Sequence, residues 1–220
     1  MARHGESKHF KRSVVTKAVV IPRKKYVYYV RSLPGKHRSS EGIALLGILR
    51  DLMKIAKNGK EARYLIRSGN VKVDGKIIKE EKYIVGFGDM LDVKGEKFLV
   101  YLDSKGKLIM TKDESDQKSK RLKVLSKGKA KADKTVLRLS DGRNVITDKP
   151  EIQIGDTIVL DLSKNKIQEV LPFEQGREVI IFRGKNAGLT GKITKIDAES
   201  VELEKGGKSF RASTTSCFVL

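Results

Sequence analysis

The stretch KEARYLIRSGNVKVDGK, residues 60–76, changes its hydrophobic period midway along its length. In its first half Ala62, Leu65 and Ile66 recur at helical spacing, and a Ser-Gly pair follows. Apolar residues at this spacing form one face of a helix, and glycine commonly ends one. The first half therefore predicts a short helix over residues 60–67.

The second half of this stretch, VKVDGK, alternates valines with a lysine before it reaches Asp74-Gly75. Alternation predicts a half-buried strand, and an Asp-Gly pair between such runs is a strong signal for a tight hairpin turn. A further apolar run over residues 83–93 is interrupted by two glycines. It predicts two more strands around a glycine-rich turn.

A longer helix is predicted just upstream, from Ser39 to about Lys57. A serine pair followed by an acid indicates its start, and Asn58-Gly59 indicates its end. Its apolar stripe follows the helical period and comprises Leu45, Ile48, Leu49, Leu52, Ile55 and Ala56. The sequence thus predicts two consecutive helices and then a hairpin.

Helix, short helix, VKVDGK turn and GDMLDV strand together resemble the S4-like RNA-binding domain over roughly residues 41–95. In that family the two helices and the hairpin form a surface that grips structured RNA. The resemblance implies an RNA-binding role for the cations Arg50, Lys54, Lys57, Lys60, Arg63, Arg67 and Lys72. The first three share one predicted helix face, and the next three share another. For any single one of them, a merely solvated helix face is the alternative.

Basic residues are concentrated at the N-terminus. The chain carries 47 Lys and Arg against 27 Asp and Glu, a formal charge of +20, and residues 1–38 hold eleven of those cations with one acid, Glu6. Such a charge favours a polyanionic partner such as nucleic acid, and self-repulsion predicts an arm that stays largely disordered until it meets phosphates. A solubilising tail or a targeting sequence is the alternative. The candidate RNA contacts of the arm are Arg3, His4, Lys8, His9, Lys11, Arg12, Arg31, Lys36, His37 and Arg38.

Residues 104–172 predict a β-rich segment with one helix. Alternation predicts strands at 107–111, 135–139, 145–147 and 157–162. A capping-box pattern predicts a short polar helix over 111–121, and a simple lysine-rich composition predicts an exposed loop over 126–134. A plain linker is the alternative, which the persistent alternation disfavours.

The last segment, residues 173–220, places glycines between apolar strands at Gly184, Gly188 and Gly191. This spacing resembles the KOW motif, which is found in SH3-like barrels of ribosomal proteins and transcription elongation factors. The resemblance implies that RNA or protein is approached by the loop residues Arg183, Lys185 and Asn186. A nucleotide-cradling loop is excluded because neither a helix pattern nor a Gly-Lys-Ser/Thr string follows.

Several classes of function lack the residues they need. A single cysteine excludes an internal disulfide framework and a multi-thiolate zinc site, and Cys217 lies in an apolar run that predicts a buried, inert thiol. The longest apolar run, about eight residues, is far shorter than the roughly 20 that cross a bilayer. The N-terminus has no apolar signal region, so neither a membrane partner nor secretion is expected.

Catalysis is disfavoured for similar reasons. The chain has no HExxH or GxSxG string, and its three histidines lie in the basic arm without a neighbouring cysteine. We therefore expect no enzyme activity, metal, cofactor or small-molecule substrate. Aromatic residues make up only 6% of the chain, which disfavours a single-strand binder based on base stacking.

The order of these parts, from MARHGESKHFKR through LPGKH to SFRASTTSCFVL, resembles the archaeal and eukaryotic S4e family of small-subunit ribosomal proteins over essentially the whole chain. The resemblance implies a structural constituent of the small ribosomal subunit in the cytoplasm. Its partners would be ribosomal RNA and neighbouring ribosomal proteins. A basic C-terminal extension of the eukaryotic members has no counterpart here, which favours the shorter archaeal type.

The expected architecture is an α+β multi-domain protein. Its expected parts are a basic N-terminal arm (1–40), a helix-helix-hairpin RNA-binding domain (41–103), a β-rich central domain (104–172) and a C-terminal SH3-like KOW barrel (173–220). A KOW-containing transcription elongation factor is one alternative, but it needs an α/β domain before the KOW unit. An RNA-modification protein is another, but no residues remain for its catalytic domain.

Overall fold

The computed structural model describes residues 9–16, 18–21, 23–24, 26–113, 119–130, 134–197 and 199–220. The chain divides into two compact units, Met1–Tyr101 with Lys107–Glu114 and Leu102–Gly106 with Ser115–Leu220. The described residues are mainly in strands with few helices, in keeping with a multi-domain α+β protein. The finer division into four parts remains a prediction.

The described part of the basic arm is folded. β1 (His9–Lys11) pairs antiparallel with β2 (Tyr28–Val30), and a 3₁₀ turn (Arg12–Val14) follows β1. Its buried apolar side chains are Val15, Val19, Ile21 and Tyr29. The expectation of a largely disordered arm is wrong for these residues, because the charge argument gave no weight to apolar side chains scattered between the cations.

The first predicted helix forms over only part of its length. β3 (Gly42–Ala44) is followed by α1 (Leu45–Gly47) and then by a π-type turn (Ile48–Leu52). The prediction of one helix over 39–57 is therefore wrong at both ends. Near its predicted start the backbone instead forms β3, which pairs with Ile84–Gly86. Glycine in this segment lowers its propensity to form a helix.

The second helix and the hairpin agree with the prediction. α2 (Gly59–Arg67) is followed by β4 (Val71–Val73) and β5 (Lys76–Ile77). Asp74 and Gly75 have φ values of 50° and 77°. Positive φ at both central residues is what a two-residue hairpin turn requires, and Asp-Gly tolerates it well.

The remaining strands of the first unit are β6 (Ile84–Gly86), β7 (Met90–Val93), β8 (Glu96–Leu102) and β9 (Leu108–Lys112). Five strands form one sheet in the order β5-β4-β7-β8-β9, while β3 and β6 form a separate two-stranded ribbon. The predicted strands on either side of the glycine-rich turn are confirmed as β6 and β7. The strand predicted at 107–111 is confirmed as β9, one residue later.

Five strands form the central sheet of the second unit: β10 (Ser119–Lys129), β11 (Thr135–Leu139), β12 (Asn144–Thr147), β13 (Thr157–Asp161) and β14 (Lys166–Leu171). Their order is β12-β11-β10-β13-β14, and all neighbours are antiparallel. Buried side chains of the core include Leu122, Val124, Leu137, Leu139 and Ile158. The strands predicted at 135–139, 145–147 and 157–162 are thus confirmed.

Two expectations for this segment differ from the structure. The lysine-rich loop expected over 126–134 is wrong at its start, because β10 extends to Lys129 and pairs with β11. Lys127 pairs with Leu137 in this ladder, and its Nζ donates to the backbone carbonyls of Pro150 and Ile152, at 2.5 and 3.1 Å. The helix expected over 111–121 falls partly on residues outside the described ranges. Of its described residues, 111–112 lie in β9 and 119–121 lie in β10.

A second five-stranded antiparallel sheet ends the chain, with β15 (Glu178–Ile181), β16 (Thr190–Ile196), β17 (Ser200–Lys205), β18 (Lys208–Ser213) and β19 (Cys217–Val219). The order is β18-β17-β16-β15-β19, so four strands meander and the last returns beside the first. Cys217 is fully buried in this core, as predicted. Burial raises the pKa of its thiol to about 11, which keeps it protonated and unreactive.

A lysine is buried where β10 approaches the end of the chain. Lys123 is only 2% exposed, and its Nζ donates to the carbonyl oxygens of Thr214 at 2.5 Å and Cys217 at 2.6 Å. The Phe173 ring centroid lies 5.1 Å from the same nitrogen. Burial lowers the pKa of Lys123 to about 8, because removal from water disfavours the ammonium form.

We expect the stability of the chain to depend on pH through Lys123. Unfolded lysine keeps its proton up to the ordinary pKa of 10.5, whereas folded Lys123 loses it above about pH 8. The unfolded state then binds more protons, so the free energy of unfolding should rise between these pH values, by about 3 kcal/mol in total. Urea unfolding at pH 7.5, 9 and 10.5 measures this rise. The Lys123→Met chain is the control and should lack it; parallel pH profiles for the two chains would contradict the prediction.

Candidate nucleic-acid interface

The start of α2 is fixed by side-chain hydrogen bonds in both directions. The Asn58 side-chain oxygen accepts from the backbone N–H of Glu61 at 2.9 Å, and the Glu61 carboxylate accepts from the backbone N–H of Lys57 at 2.8 Å. Asn58 therefore begins α2, and its assignment as the end of the preceding helix is wrong. Asparagine is common both as an N-cap and just after a helix end, so the sequence alone is consistent with either position. The capped turn holds the helix in one register.

The two faces of α2 differ sharply in chemistry. Ala62, Leu65 and Ile66 are buried. The residues on the opposite, exposed face are Lys60, Arg63, Tyr64 and Arg67. Because residues three, four and seven apart lie on one side of a helix, the predicted sharing of a face by the three cations is confirmed.

The cations of this region are not equally available to a ligand. Among the described residues, Lys54, Lys57, Lys60 and Arg67 are exposed and have no acidic partner within ion-pair distance. Arg63 pairs with Glu81 at 2.5 Å, and Lys72 pairs with Asp92 at 3.9 Å. Both cations are exposed and both carboxylates are half-buried, so neither pair is desolvated and either cation can exchange its carboxylate for a phosphate.

Arg50 is held more firmly than the other cations predicted for this surface. Its guanidinium makes two hydrogen bonds to Asp51, at 2.7 and 3.2 Å, and the first of these is an ion pair. The hydrogen bonds to Asp51 raise the pKa of Arg50 further. A Cβ added to Gly59 would meet the Arg50 guanidinium at 3.9 Å, so Arg50 lies beside the start of α2. It sits next to the α2 cations but has its charge already matched.

Tyr64 is a surface residue that the sequence reasoning missed. It is 72% exposed on α2, one helical turn after Lys60 and three residues before Arg67. The sequence could have indicated a surface role for Tyr64, because this large aromatic residue lies off the apolar stripe of α2, between cations on the polar face. We call Lys57, Lys60, Arg63, Tyr64 and Arg67 the α2 face.

Arg12 was predicted to contact RNA, but it serves the fold. It is 2% exposed, its Nε donates to the carbonyl oxygen of Tyr28 at 3.2 Å, and its guanidinium lies 3.5 Å from an Asp51 oxygen. Its guanidinium carbon also lies over the rings of Tyr26 and Tyr29, at 4.9 and 5.6 Å. A buried and paired guanidinium is not available to a phosphate.

Lys36 and His37 were also predicted as RNA contacts, and both instead join a buried cluster of charges. Lys36 Nζ lies 2.9 Å from oxygens of both Asp74 and Asp89, and His37 Nε2 lies 2.9 Å from the other Asp89 oxygen. Burial alone would lower the pKa of Lys36, but the two carboxylates outweigh it and raise the pKa. We call these four residues the carboxylate clasp, since they tie the end of the arm to the hairpin and to the β6–β7 turn.

The other arm residues divide into exposed and undescribed ones. His9, Lys11, Arg31 and Arg38 are exposed and accessible to a ligand. Arg3, His4 and Lys8 lie outside the described residues.

The predicted loop of the C-terminal sheet is only partly free. The Arg183 guanidinium lies 4.8 Å over the ring of Phe182, and Asn186 Nδ2 donates to the carbonyl oxygen of Arg211 at 3.3 Å. Lys185 is exposed. Asn186 therefore fixes the shape of the loop, and Lys185 is its most accessible charge.

Over the described ranges, no cluster of three or more His, Cys, Asp or Glu side chains is arranged to bind a metal ion. No helix among the described residues has both the length and the apolar character needed to span a membrane.

Comparison with known proteins places the chain in a family. The model of the ribosomal family S4e matches residues 94–167, and the S4 domain model matches residues 52–91, which contain α2 and the hairpin. The small ribosomal subunit protein eS4 of Thermoplasma volcanium is 36% identical over 188 residues, or 85% of this chain and 80% of that protein. The chain belongs to the S4e family of ribosomal proteins. The family predicted from the sequence is thereby confirmed.

Other S4e proteins extend the similarity over the full chain and to its fold. The eS4 protein of Methanothermobacter thermautotrophicus is 34% identical over 100% of this chain and 95% of its own. The crystal structure of the 30S ribosomal protein S4e from Thermoplasma acidophilum has a TM-score of 0.71 to this chain at 32% identity, covering 82% of this chain and 95% of the other. The KOW resemblance of the last sheet remains a prediction.

Proposed function

We propose that the chain is a structural constituent of the small ribosomal subunit that binds ribosomal RNA through the α2 face. Its place is in cytoplasmic ribosomes, beside neighbouring ribosomal proteins, and its role is structural and not catalytic. The observation that carries the proposal is the capped helix α2, which presents Lys60 and Arg67, with Lys57 just before its N-cap; none of the three has an intramolecular ion pair among the described residues. Membership of the S4e family supports it.

The physics of the α2 face suits structured RNA. Lysine and arginine side chains neutralise phosphates and release counterions, which gives affinity that depends little on sequence. A rigid helix places those charges at fixed spacing, so the domain responds to the shape of an RNA surface. Arg63 and Lys72 add to this surface if a phosphate replaces the carboxylate beside each.

The C-terminal sheet supplies a second proposed contact. Its strand order, a four-stranded meander closed by β19 on β15, is compatible with the SH3-like barrel implied by the KOW resemblance. Its loop would reach RNA or a neighbouring protein through Lys185 and the Arg183 guanidinium, with Asn186 keeping the loop in shape. This contact is secondary, because Asn186 and Arg183 both make interactions within the chain.

Co-sedimentation tests the proposed function. The tagged full chain, expressed in an archaeal host, should migrate with small subunits on a sucrose gradient and remain there at salt concentrations that remove loosely bound cationic proteins. Migration with RNA polymerase would instead support a transcription elongation factor. Migration at the top of the gradient would refute the ribosomal role.

A further inference from the structure

Exposed aromatic side chains are few, and most of them lie in one place. The chain has six Tyr and seven Phe. All lie within the described residues, and only Tyr26, Tyr28 and Tyr64 are exposed, at 57%, 57% and 72%. Two of these three stand in the short arm segment around β2. The low aromatic content of the whole chain disfavours base stacking, but an average over the chain does not show this local concentration.

The β1–β2 ribbon has a buried face and an exposed face. Phe10 pairs with Tyr29 in the strand register, and their rings lie 6.2 Å apart on the inner side, where Tyr29 is 3% exposed. His9, Lys11 and Tyr28 are exposed on the outer side. Lys11 lies directly opposite Tyr28 in the register, and the His9 ring packs edge-on to Tyr28 at 4.5 Å. The outer side thus combines two rings and one cation.

The ribbon is held in place from its inner side. The buried Arg12 donates to the carbonyl oxygen of Tyr28, which fixes the backbone that carries the exposed ring. The Arg23 guanidinium donates to the carbonyl oxygens of Arg12 and Val15 among others, at 3.2 and 2.6 Å. An exposed ring on a fixed backbone loses little conformational entropy when a ligand covers it.

We propose that the outer side of the β1–β2 ribbon is a stacking site for an unpaired RNA base. The Tyr28 ring carries the base, His9 flanks it, and Lys11 contacts the adjoining phosphate. The inference rests on the proposed function, since it assigns a further RNA contact to a ribosomal RNA-binding protein. It differs from the α2 face because it recognises a ring and not only phosphates.

The charge around the ribbon selects RNA over a protein partner. Residues 9–38 contain no acidic residue, and exposed cations among the described residues of this segment include Lys11 and Lys24. An apolar protein partner would leave these charges unmatched. An RNA strand offers both a phosphate for the cations and an unstacked base for the ring, and aromatic side chains commonly carry splayed-out bases.

The test uses the full chain and a ten-residue adenosine RNA that carries one 2-aminopurine. The chain has no tryptophan, so quenching of 2-aminopurine by tyrosine can be followed directly. We expect Tyr28→Leu to weaken binding of this decamer about 5- to 100-fold, the range typical for loss of one stacked base. Tyr28→Phe should bind within about two-fold of wild type, because it keeps the ring. The salt dependence should be the same for all three chains, since no phosphate contact is removed.

Controls separate stacking from other effects. Ile146→Ala, which changes an exposed apolar residue of the central sheet, should leave decamer binding unchanged. A decamer with abasic sites should bind wild type and Tyr28→Leu equally. Binding to duplex RNA of equal phosphate count should be unaffected by Tyr28→Leu.

Each other outcome refutes the stacking site. Unchanged decamer affinity in Tyr28→Leu refutes it, and a change in self-association instead would make the ribbon a protein-docking face. Failure of wild type to bind any RNA would refute the proposed function itself. If wild type binds duplex RNA but the decamer result fails, only the stacking site is refuted. If Tyr28→Leu does not fold, ultraviolet cross-linking of wild type to the decamer decides: adducts on the ribbon support the site, and adducts only elsewhere overturn it.

Discussion

Replacement of Asp89 by Asn is expected to lower the free energy of unfolding by about 3–5 kcal/mol, the usual effect of removing one partner from a buried ion pair. Asp89 is fully buried at the centre of the carboxylate clasp. One oxygen lies 2.9 Å from Lys36 Nζ. The other accepts from the Gly86 N–H at 3.0 Å and lies 2.9 Å from His37 Nε2. The asparagine amide would keep only one acceptor oxygen, so its NH₂ group would face one of the donors that Asp89 now binds. The charge of Lys36 would then be matched by Asp74 alone.

Urea unfolding followed by circular dichroism measures the loss, and hydrogen exchange of peptides over residues 33–37 and 84–93 locates it. The matched control is Glu96→Gln, which removes one carboxylate of an exposed ion pair with Lys112, 3.5 Å long, on the same sheet. An exposed pair contributes at most about 1 kcal/mol, so this chain should unfold close to wild type. Equal losses in the two chains would mean that the clasp is not a structural feature.

Replacement of Lys57, Lys60 and Arg67 by Gln is expected to reduce the slope of log affinity for small-subunit RNA against log salt by about two to three units. Such a change corresponds to about 100- to 1,000-fold weaker binding at 0.1 M salt, if the affinities converge near 1 M. The fold should survive, because all three side chains are exposed and Gln is a good helix former. Filter binding over a range of salt concentrations measures the slope.

A charge-matched control distinguishes a specific surface from diffuse attraction. Lys149, Lys164 and Lys166 are exposed in the central sheet and its turns, and replacing them by Gln removes the same net charge. Lys127, in the lysine-rich segment, is a poorer control because its Nζ is engaged by carbonyl oxygens. The control chain should keep most of the wild-type slope. If both variants lose the same slope, the protein binds as a diffuse polycation and the α2 face has no special role.

The sequence predicted those features that depend on residues close together in the chain. α2 and the hairpin follow from helical spacing, alternation and Asp74-Gly75, and all of these act within a few residues. The strands β11, β12 and β13 of the second unit follow from the same local signals. Asn58 shows the limit of such signals, because a residue that caps a helix start also commonly follows a helix end.

The errors concern residues whose partners are far away in the chain. Arg12 pairs with a carboxylate 39 positions later, and His37 pairs with one 52 positions later. Counting charge within the arm could not reveal these pairs, so both residues were predicted as RNA contacts. The side chain of Lys127 has the same kind of partner, since its Nζ donates to carbonyl oxygens 23 and 25 positions further on.

Directed cleavage of ribosomal RNA from α2 tests the central claim most directly. Cys217 is buried with a raised pKa, so a cysteine introduced by Ser68→Cys, next to Arg67, can carry an Fe–EDTA group selectively. Small subunits reconstituted with this chain should show hydroxyl-radical cuts in a confined set of ribosomal RNA positions, whereas the probe carried by Ser163→Cys, in the β13–β14 turn, should cut a different set or none. Incorporation of the Ser68→Cys chain without any cut near α2 would contradict the account.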